Sequence, residues 1–349
     1  MITLGAAWLL TACVNDCKVT SENGLLEVAV DDSLLTVSYD GTPVQMIEHS
    51  LGHVKSWSGR RQEMAEDTYV LTSGKRLVNN DRYRVCSFCF EGGAELELRM
   101  FDDGVALRVL DGDSRLAYRI PEGAKRWMQS AKQDYEGFFP LSTSAQEGKY
   151  NYPALVEYGD SVFGLIMESG VEHGNSCSYL TCKNGVYEVT YTDSLDGRFA
   201  CSTLYPATER LVHPWRVLMV GTLADIVESS LVTTLAEPCR IEDTSWIEPG
   251  MSSWIYWAYN HSSKDFERVK EYIDLAVEMG WPYSLIDWEW PDMANGGDIN
   301  DAVAYAKEKG VKINLWYNSG TSWIGPWAPQ PQDRLRTKEA REKEMTYLE

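Results

Sequence analysis

The sequence is short of positive charge. Its 32 Lys and Arg stand against 52 Asp and Glu, for a net charge of −20 and a pI near 4.7. Such a surface repels phosphate backbones, and no basic patch interrupts it, which argues against nucleic acid as a partner. Beyond residue 12 no apolar run is long enough to cross a bilayer. No Gly-rich loop follows a strand-like run, so the phosphate cradle of a nucleotide-binding α/β enzyme is missing. No fixed-period repeat marks a propeller or solenoid. Of the eight cysteines, Cys86 and Cys89 have CxxC spacing, but no second such pair or nearby His completes a zinc set. They also lie in a strand-like run, where residues three apart face opposite sides. Cys177 and Cys182 are spaced to close a short loop in an oxidising compartment.

What is present is apolar and rich in tryptophan. With 349 residues, 44% hydrophobic and 11% aromatic, the chain can bury a large core and is expected to form two domains. Residues 22–243 read as all-β. Runs such as Leu25-Leu-Glu-Val-Ala-Val30, Ala94-Glu-Leu-Glu-Leu-Arg-Met100 and Trp215-Arg-Val-Leu-Met-Val220 alternate or run apolar. Asp40-Gly41, Asp103-Gly104 and Asn184-Gly185 supply turns between such runs. More than a dozen short strands without long helices predict a large β-sandwich. Residues 223–236 read as a short helix that Glu237-Pro238 ends, and 246–250 as a linker.

From residue 251 the period changes. Trp254-Ile-Tyr-Trp257, Tyr283-Ser-Leu-Ile-Asp-Trp-Glu-Trp290 and Val311-Lys-Ile-Asn-Leu-Trp-Tyr317 are strand-like, with Tyr256, Ile286 and Trp316 marking equivalent points. Helices are predicted between them. In 264–279, Phe266, Val269, Ile273, Ala276 and Val277 share a face, with Ser262 or Ser263 as cap and Gly280 as stop. In 299–309, Asp298 caps, Val303 and Ala306 repeat the apolar face, and Gly310 ends the helix. Alternating strands and helices at this spacing predict βα units on a parallel sheet, the start of a (β/α)8 barrel over 244–349.

In such a barrel substrate is handled where strands end. The residues there include Tyr259-Asn260-His261, Asp287, Glu289 and Asn318, with Trp254, Trp257, Trp288, Trp290, Trp316, Trp323 and Trp327 on or near them. Indole faces beside carboxylates suit a sugar, whose C–H faces stack on rings while its hydroxyls seek acceptors. Packing is the competing reading for many of these tryptophans. The candidate substrate-binding residues are Trp257, Asp287, Trp290 and Asn318. Asp287 and Glu289 lie too close along one strand to bracket a scissile bond from two sides.

Here the sequence resembles a known family. His213-Pro-Trp-Arg-Val-Leu-Met-Val-Gly221, Leu223-Ala-Asp-Ile-Val-Glu-Ser229, Glu237-Pro238 and Thr244-Ser-Trp-Ile-Glu-Pro-Gly250 together are similar to the interdomain joint of glycoside hydrolase family 97. Met100-Phe-Asp-Asp-Gly-Val-Ala-Leu-Arg108 and Asp134-Tyr-Glu136 resemble its N-terminal domain, and Leu285-Ile-Asp-Trp-Glu-Trp290 its barrel entry. The resemblance implies a β-super-sandwich followed by a (β/α)8 barrel and hydrolysis of α-linked sugars. It also implies a calcium ion, with Glu136 matching a family ligand; alone, a loop Glu carries no metal signature. Trp316-Tyr-Asn-Ser-Gly320 and the loop at 321–333 look more like the retaining, α-galactosidase-like branch than the inverting α-glucosidase branch.

Three βα units fall short of eight, so the sequence reads as an N-terminal fragment whose catalytic carboxylates are expected beyond Glu349. The competing reading is a non-catalytic carbohydrate-binding sandwich with a vestigial barrel. Residues 1–12 are apolar, and Leu10-Thr11-Ala12-Cys13 looks like a lipoprotein signal ending at the Cys to be acylated. That start predicts lipid anchoring through Cys13; the family resemblance implies export in a Gram-negative bacterium, hence the periplasm or outer membrane.

Overall fold

The computed structural model describes residues 17–57, 63–71, 73–112, 115–131, 137–171, 178–191, 212–317, 334 and 338–348. The chain divides into two compact units between Glu237 and Pro238, a little before the expected boundary at 243/244.

In the first unit, period-two patterning builds two antiparallel sheets. Among the described residues one has eight strands and the other ten. Glu95–Met100 buries every second residue and Leu26–Val30 does the same, so each strand turns one row of side chains inward. Val28, Leu35, Val37 and Ile47 from one sheet meet Phe88, Leu96, Leu98 and Val105 from the other in a single core. The central strand Trp215–Gly221 is buried at every position. Its even residues Leu218 and Val220 join that core, while Trp215, Val217 and Met219 pack under Ile226, Leu231 and Leu235 on the opposite face. The segment predicted as one helix at 223–236 is two short ones, Leu223–Glu228 and Leu231–Thr234.

Cys86 is buried and Cys89 exposed on one strand, as their spacing requires. Cys182 is a buried thiol; Cys177, its expected partner, lies outside the described residues. Burial pushes the Cys86 thiol up to about 12, which leaves it unreactive near neutrality.

The second unit holds three parallel strands in sequence order, Ser252–Trp254, Tyr283–Ile286 and Lys312–Leu315. They are shorter than predicted, and the register corrects the expected alignment. Trp254 pairs with Leu285, and Leu285 with Asn314. Ile286 therefore lines up with Leu315, while Tyr256 and Trp316 fall past the strand ends. The first strand stops early because Ala258 and Tyr259 donate their amides to Ile255 O, closing a turn.

Helix Phe266–Met279 is capped by Asp265, one turn later than expected, because Ser262–Lys264 forms a separate 3-10 turn. Gly280 ends it at φ 66°, a conformation that favours glycine. Phe266, Val269, Ile273 and Ala276 are buried, whereas Val277 at the edge of that stripe is exposed. Helix Ile299–Lys309 is capped by Asp298 and buries Ile299, Ala302 and Ala306; Val303 falls to the edge and is exposed. Both helices pack on the sheet face that carries Ile286, Ile313 and Leu315. Small residues allow the approach: buried Ser253 donates to Tyr272 O at 2.8 Å and meets Ser284 Oγ at 2.9 Å. No helix among the described residues is long and apolar enough to cross a membrane.

Candidate functional site

The strand ends of the second unit gather one connected polar and aromatic cluster. Asp287 follows the middle strand and is 5% exposed. Its Oδ2 accepts the Trp254 indole N–H at 2.6 Å, and its Oδ1 accepts the Trp288 amide at 2.7 Å. The Asp287 amide donates to buried Ser263 Oγ at 3.1 Å. The carboxylate is thus fixed in direction by neighbours from both strand ends. Each oxygen keeps acceptor capacity for another donor.

Around it stand aromatic rings. Trp254 stacks on Tyr256 at 6.4 Å and meets Trp257 edge-on at 5.6 Å. Trp257 is 76% exposed and offers a free ring face. Tyr256 meets Trp288 at 6.4 Å, and Trp288 meets His261 at 5.7 Å.

Glu289 is 7% exposed. Its Oε1 lies 3.0 Å from His261 Nδ1 and 3.5 Å from Lys264 Nζ. Its Oε2 is buried without a hydrogen-bond partner, as is Trp288 Nε1. A buried polar atom left unmet costs on the order of 1–3 kcal/mol, so two at the end of one strand set this place apart from an ordinary interior.

The sequence-predicted residues fare unequally. Trp257 and Asp287 come together at the strand ends. Trp290 does not join them. It is 1% exposed and packs among Phe266, Ile286 and Met293. Its indole N–H donates to Trp316 O at 2.9 Å, and Tyr317 and Arg334 lie against its ring. The reason is local. The strand ends at Ile286, and the 3-10 turn Trp290–Asp292 with its Pro291 rotates the indole away from the rim. Asn318 and Glu136 lie outside the described residues, as do Trp323 and Trp327. Tyr259 packs edge-on against Tyr272 and under Arg268 rather than toward Asp287. Ser263 and Lys264 were missed as site residues: both look like helix-start residues, and only their tertiary partners show otherwise.

Among the described residues no group of three or more His, Cys, Asp or Glu side chains could hold a metal ion. A rigid acceptor beside an exposed indole can bind a hydroxylated ring. Asp287 and Glu289, engaged on one strand end, do not form a pair across a bond.

The chain matches the family descriptions "Glycosyl-hydrolase 97 N-terminal" over residues 19–238 and "Glycoside hydrolase 97" over residues 246–343. It is 32% identical over 286 residues to a "Probable retaining alpha-galactosidase" of Streptomyces bingchenggensis, covering 74% of this chain and 44% of that protein. A "Retaining alpha-galactosidase" of Bacteroides thetaiotaomicron is 24% identical over 293 residues, covering 68% of this chain and 44% of its own length. The chain therefore spans less than half the length of these curated relatives. Among solved structures, the crystal structure of a beta-arabinopyranosidase superposes with a TM-score of 0.76 at 22% identity, covering 95% of this chain and 60% of that one. That likeness shows the fold.

Proposed function

Because the chain belongs to glycoside hydrolase family 97, we propose that it supplies the β-sandwich and the first three βα units of a (β/α)8 barrel to an exo-acting, retaining, α-galactosidase-like enzyme. The observation that carries the proposal is the Asp287 carboxylate, held at the middle strand end by Trp254 and lying beside exposed Trp257. Asp287 accepts a sugar hydroxyl and Trp257 offers a ring face; Asn318 keeps its place in the proposal on sequence alone. The relatives' names favour α-galactosides over α-glucosides.

Retaining hydrolysis needs two carboxyl groups about 5–5.5 Å apart on either side of the glycosidic bond. The arrangement of Asp287 and Glu289 does not meet that need, so we assign them no catalytic role; that the reacting pair lies outside these 349 residues is what the family resemblance implies. Calcium belongs to the proposal through Glu136 and the family resemblance, and no step is derived through it. Export and lipid anchoring through Cys13 rest on the sequence of residues 1–13 alone.

The test is titration of the 349-residue protein with methyl α-D-galactopyranoside and methyl α-D-glucopyranoside, followed by tryptophan fluorescence and calorimetry. Galactoside binding that weakens at least about tenfold in Asp287→Ala, without turnover of aryl α-galactosides, is the expected result. Binding indifferent to Asp287→Ala would favour the non-catalytic sandwich instead. Turnover by this polypeptide would overturn the placing of the catalytic groups.

A further inference from the structure

Glu289 has no part in the sugar site proposed above, yet it is built into the same cluster. It holds His261 and Lys264, both from the segment that joins the first parallel strand to the following helix. His261 sits at φ 62°, a backbone conformation that few non-glycine residues adopt. The base of this segment is tied separately: Ser263 Oγ accepts the Asp287 amide, and Lys264 O accepts the Ala294 amide at 2.8 Å. In the outer part, Tyr272 and Arg268 pack on Tyr259, and Glu289 holds His261 and Lys264.

The contacts form a closed circuit. Glu289 bonds His261, whose ring lies against Trp288; Trp288 meets Tyr256, which stacks on Trp254, and Trp254 donates to Asp287. Asp287 and Glu289 are two residues apart, so the circuit starts and ends on the same strand end. A carboxylate kept only for stability would be expected to have both oxygens met. Glu289 Oε2 is not, and Trp288 Nε1 within the same circuit is not either. Unmet groups and an unusual backbone angle fall together where function, not packing, sets the geometry.

We infer that Glu289 is a positioning residue: by holding His261 it fixes residues 255–264, and through the ring circuit it fixes the Trp254–Asp287 pair and Trp257 in the arrangement that a sugar meets. The inference rests on the sugar-site reading above.

Two readouts on the 349-residue protein test it: backbone amide exchange across 255–264 and affinity for methyl α-D-galactopyranoside. Glu289→Ala should raise exchange in 255–264 by about tenfold while the 266–279 helix keeps its protection. It should also weaken galactoside binding by about tenfold. His261→Asn keeps an N–H donor toward Glu289 and tolerates the left-handed backbone but removes the ring that meets Trp288, so exchange in 255–264 should stay near the unmutated protein while galactoside affinity falls; His261→Leu should follow Glu289→Ala in both readouts. Should Glu289→Ala fail to fold, Glu289→Met gives the same comparison, with size preserved and the oxygen acceptors removed. Unchanged exchange in 255–264 overturns the inference. A loosened segment with unmutated affinity overturns the positioning role alone. Failure of the unmutated protein to bind galactoside overturns the sugar reading instead, and the exchange result then decides by itself whether Glu289 clasps the segment.

Discussion

Arg216 in the sandwich and Glu289 at the parallel strand ends are both buried charges, and their surroundings treat them differently. Arg216 is 1% exposed and lies on the inward row of the central strand. Its Nη1 donates to Glu168 Oε2 at 2.6 Å and Ser178 Oγ at 2.7 Å, and its Nη2 to the Tyr191 hydroxyl at 3.0 Å. Glu168 is answered in turn by the Ser178 amide and hydroxyl. These partners come from both sheets, so the network fastens one to the other across the core. Glu289 has one oxygen met and one unmet. The sandwich also has buried side-chain atoms left unmet, the Tyr118 hydroxyl among them. The Arg216 network is closed on itself, whereas the strand ends keep unmet valence beside the residues proposed to meet a sugar.

Breaking the closed network should give the largest effect. Arg216→Met leaves Glu168 as an uncompensated, nearly buried charge, a change that costs about 3–5 kcal/mol. Urea unfolding should show that loss. A loss below about 1 kcal/mol would mean that the network contributes geometry without stability, and the contrast with Glu289 would vanish. Replacing Arg216 and Glu168 together by apolar residues of similar volume should restore much of the loss, because no charge is then left alone.

The same contrast separates what the sequence discloses from what it hides. Strands such as Glu95–Met100 are legible because alternation is local, and so are Gly280 and Gly310, whose left-handed backbone stops a helix. The placing of Asp287 and Trp257 together is legible because both follow recognisable strands. The burial of Trp290 is not legible: Asp-Trp-Glu-Trp alternates like a strand, whereas the strand ends at Ile286 and a 3-10 turn with Pro291 follows. The Glu289–His261 pair spans 28 residues with no local pattern. Arg216 is likewise illegible, since its partners lie 25 to 48 residues away on other strands.

A smaller change probes a closed end within the second unit. Asp298 accepts the amides of Asn300 and Asp301 at 2.8 and 3.1 Å, and Asp301 accepts the Asp298 amide at 2.9 Å. Asp298→Ala removes one side of that reciprocal cap and should cost about 1 kcal/mol in chemical unfolding. It should leave exchange in residues 255–264 unchanged, because the helix it caps belongs to the scaffold. Loosening of that segment by Asp298→Ala would show that the strand ends respond to any local loss, not to Glu289 in particular.

The smallest expected effects separate the two units by pH. In the sandwich, burial pushes the His49 imidazole below its ordinary value of 6.5, opposed by the hydrogen bond to Asp31 O. The unfolded chain takes up a proton near pH 6.5 that folded His49 resists, so stability falls as pH drops below 6.5 toward the folded value. His53 pulls the other way in the same unit. Its hydrogen bond to Asp32 raises its imidazole above 6.5, so its contribution is present below that pH and is lost as pH rises through the folded value. In the second unit, the hydrogen bond from Asn295 holds the Asp265 cap below 3.8, so its contribution stays until the medium is far more acidic. The urea midpoint at about pH 5 relative to pH 7 should therefore rise in His49→Gln and fall in His53→Gln, while Asp265→Asn leaves the difference as it was. A changed difference in Asp265→Asn instead would place the mildly acid titration at the parallel strands and remove pH as a way to tell the two units apart.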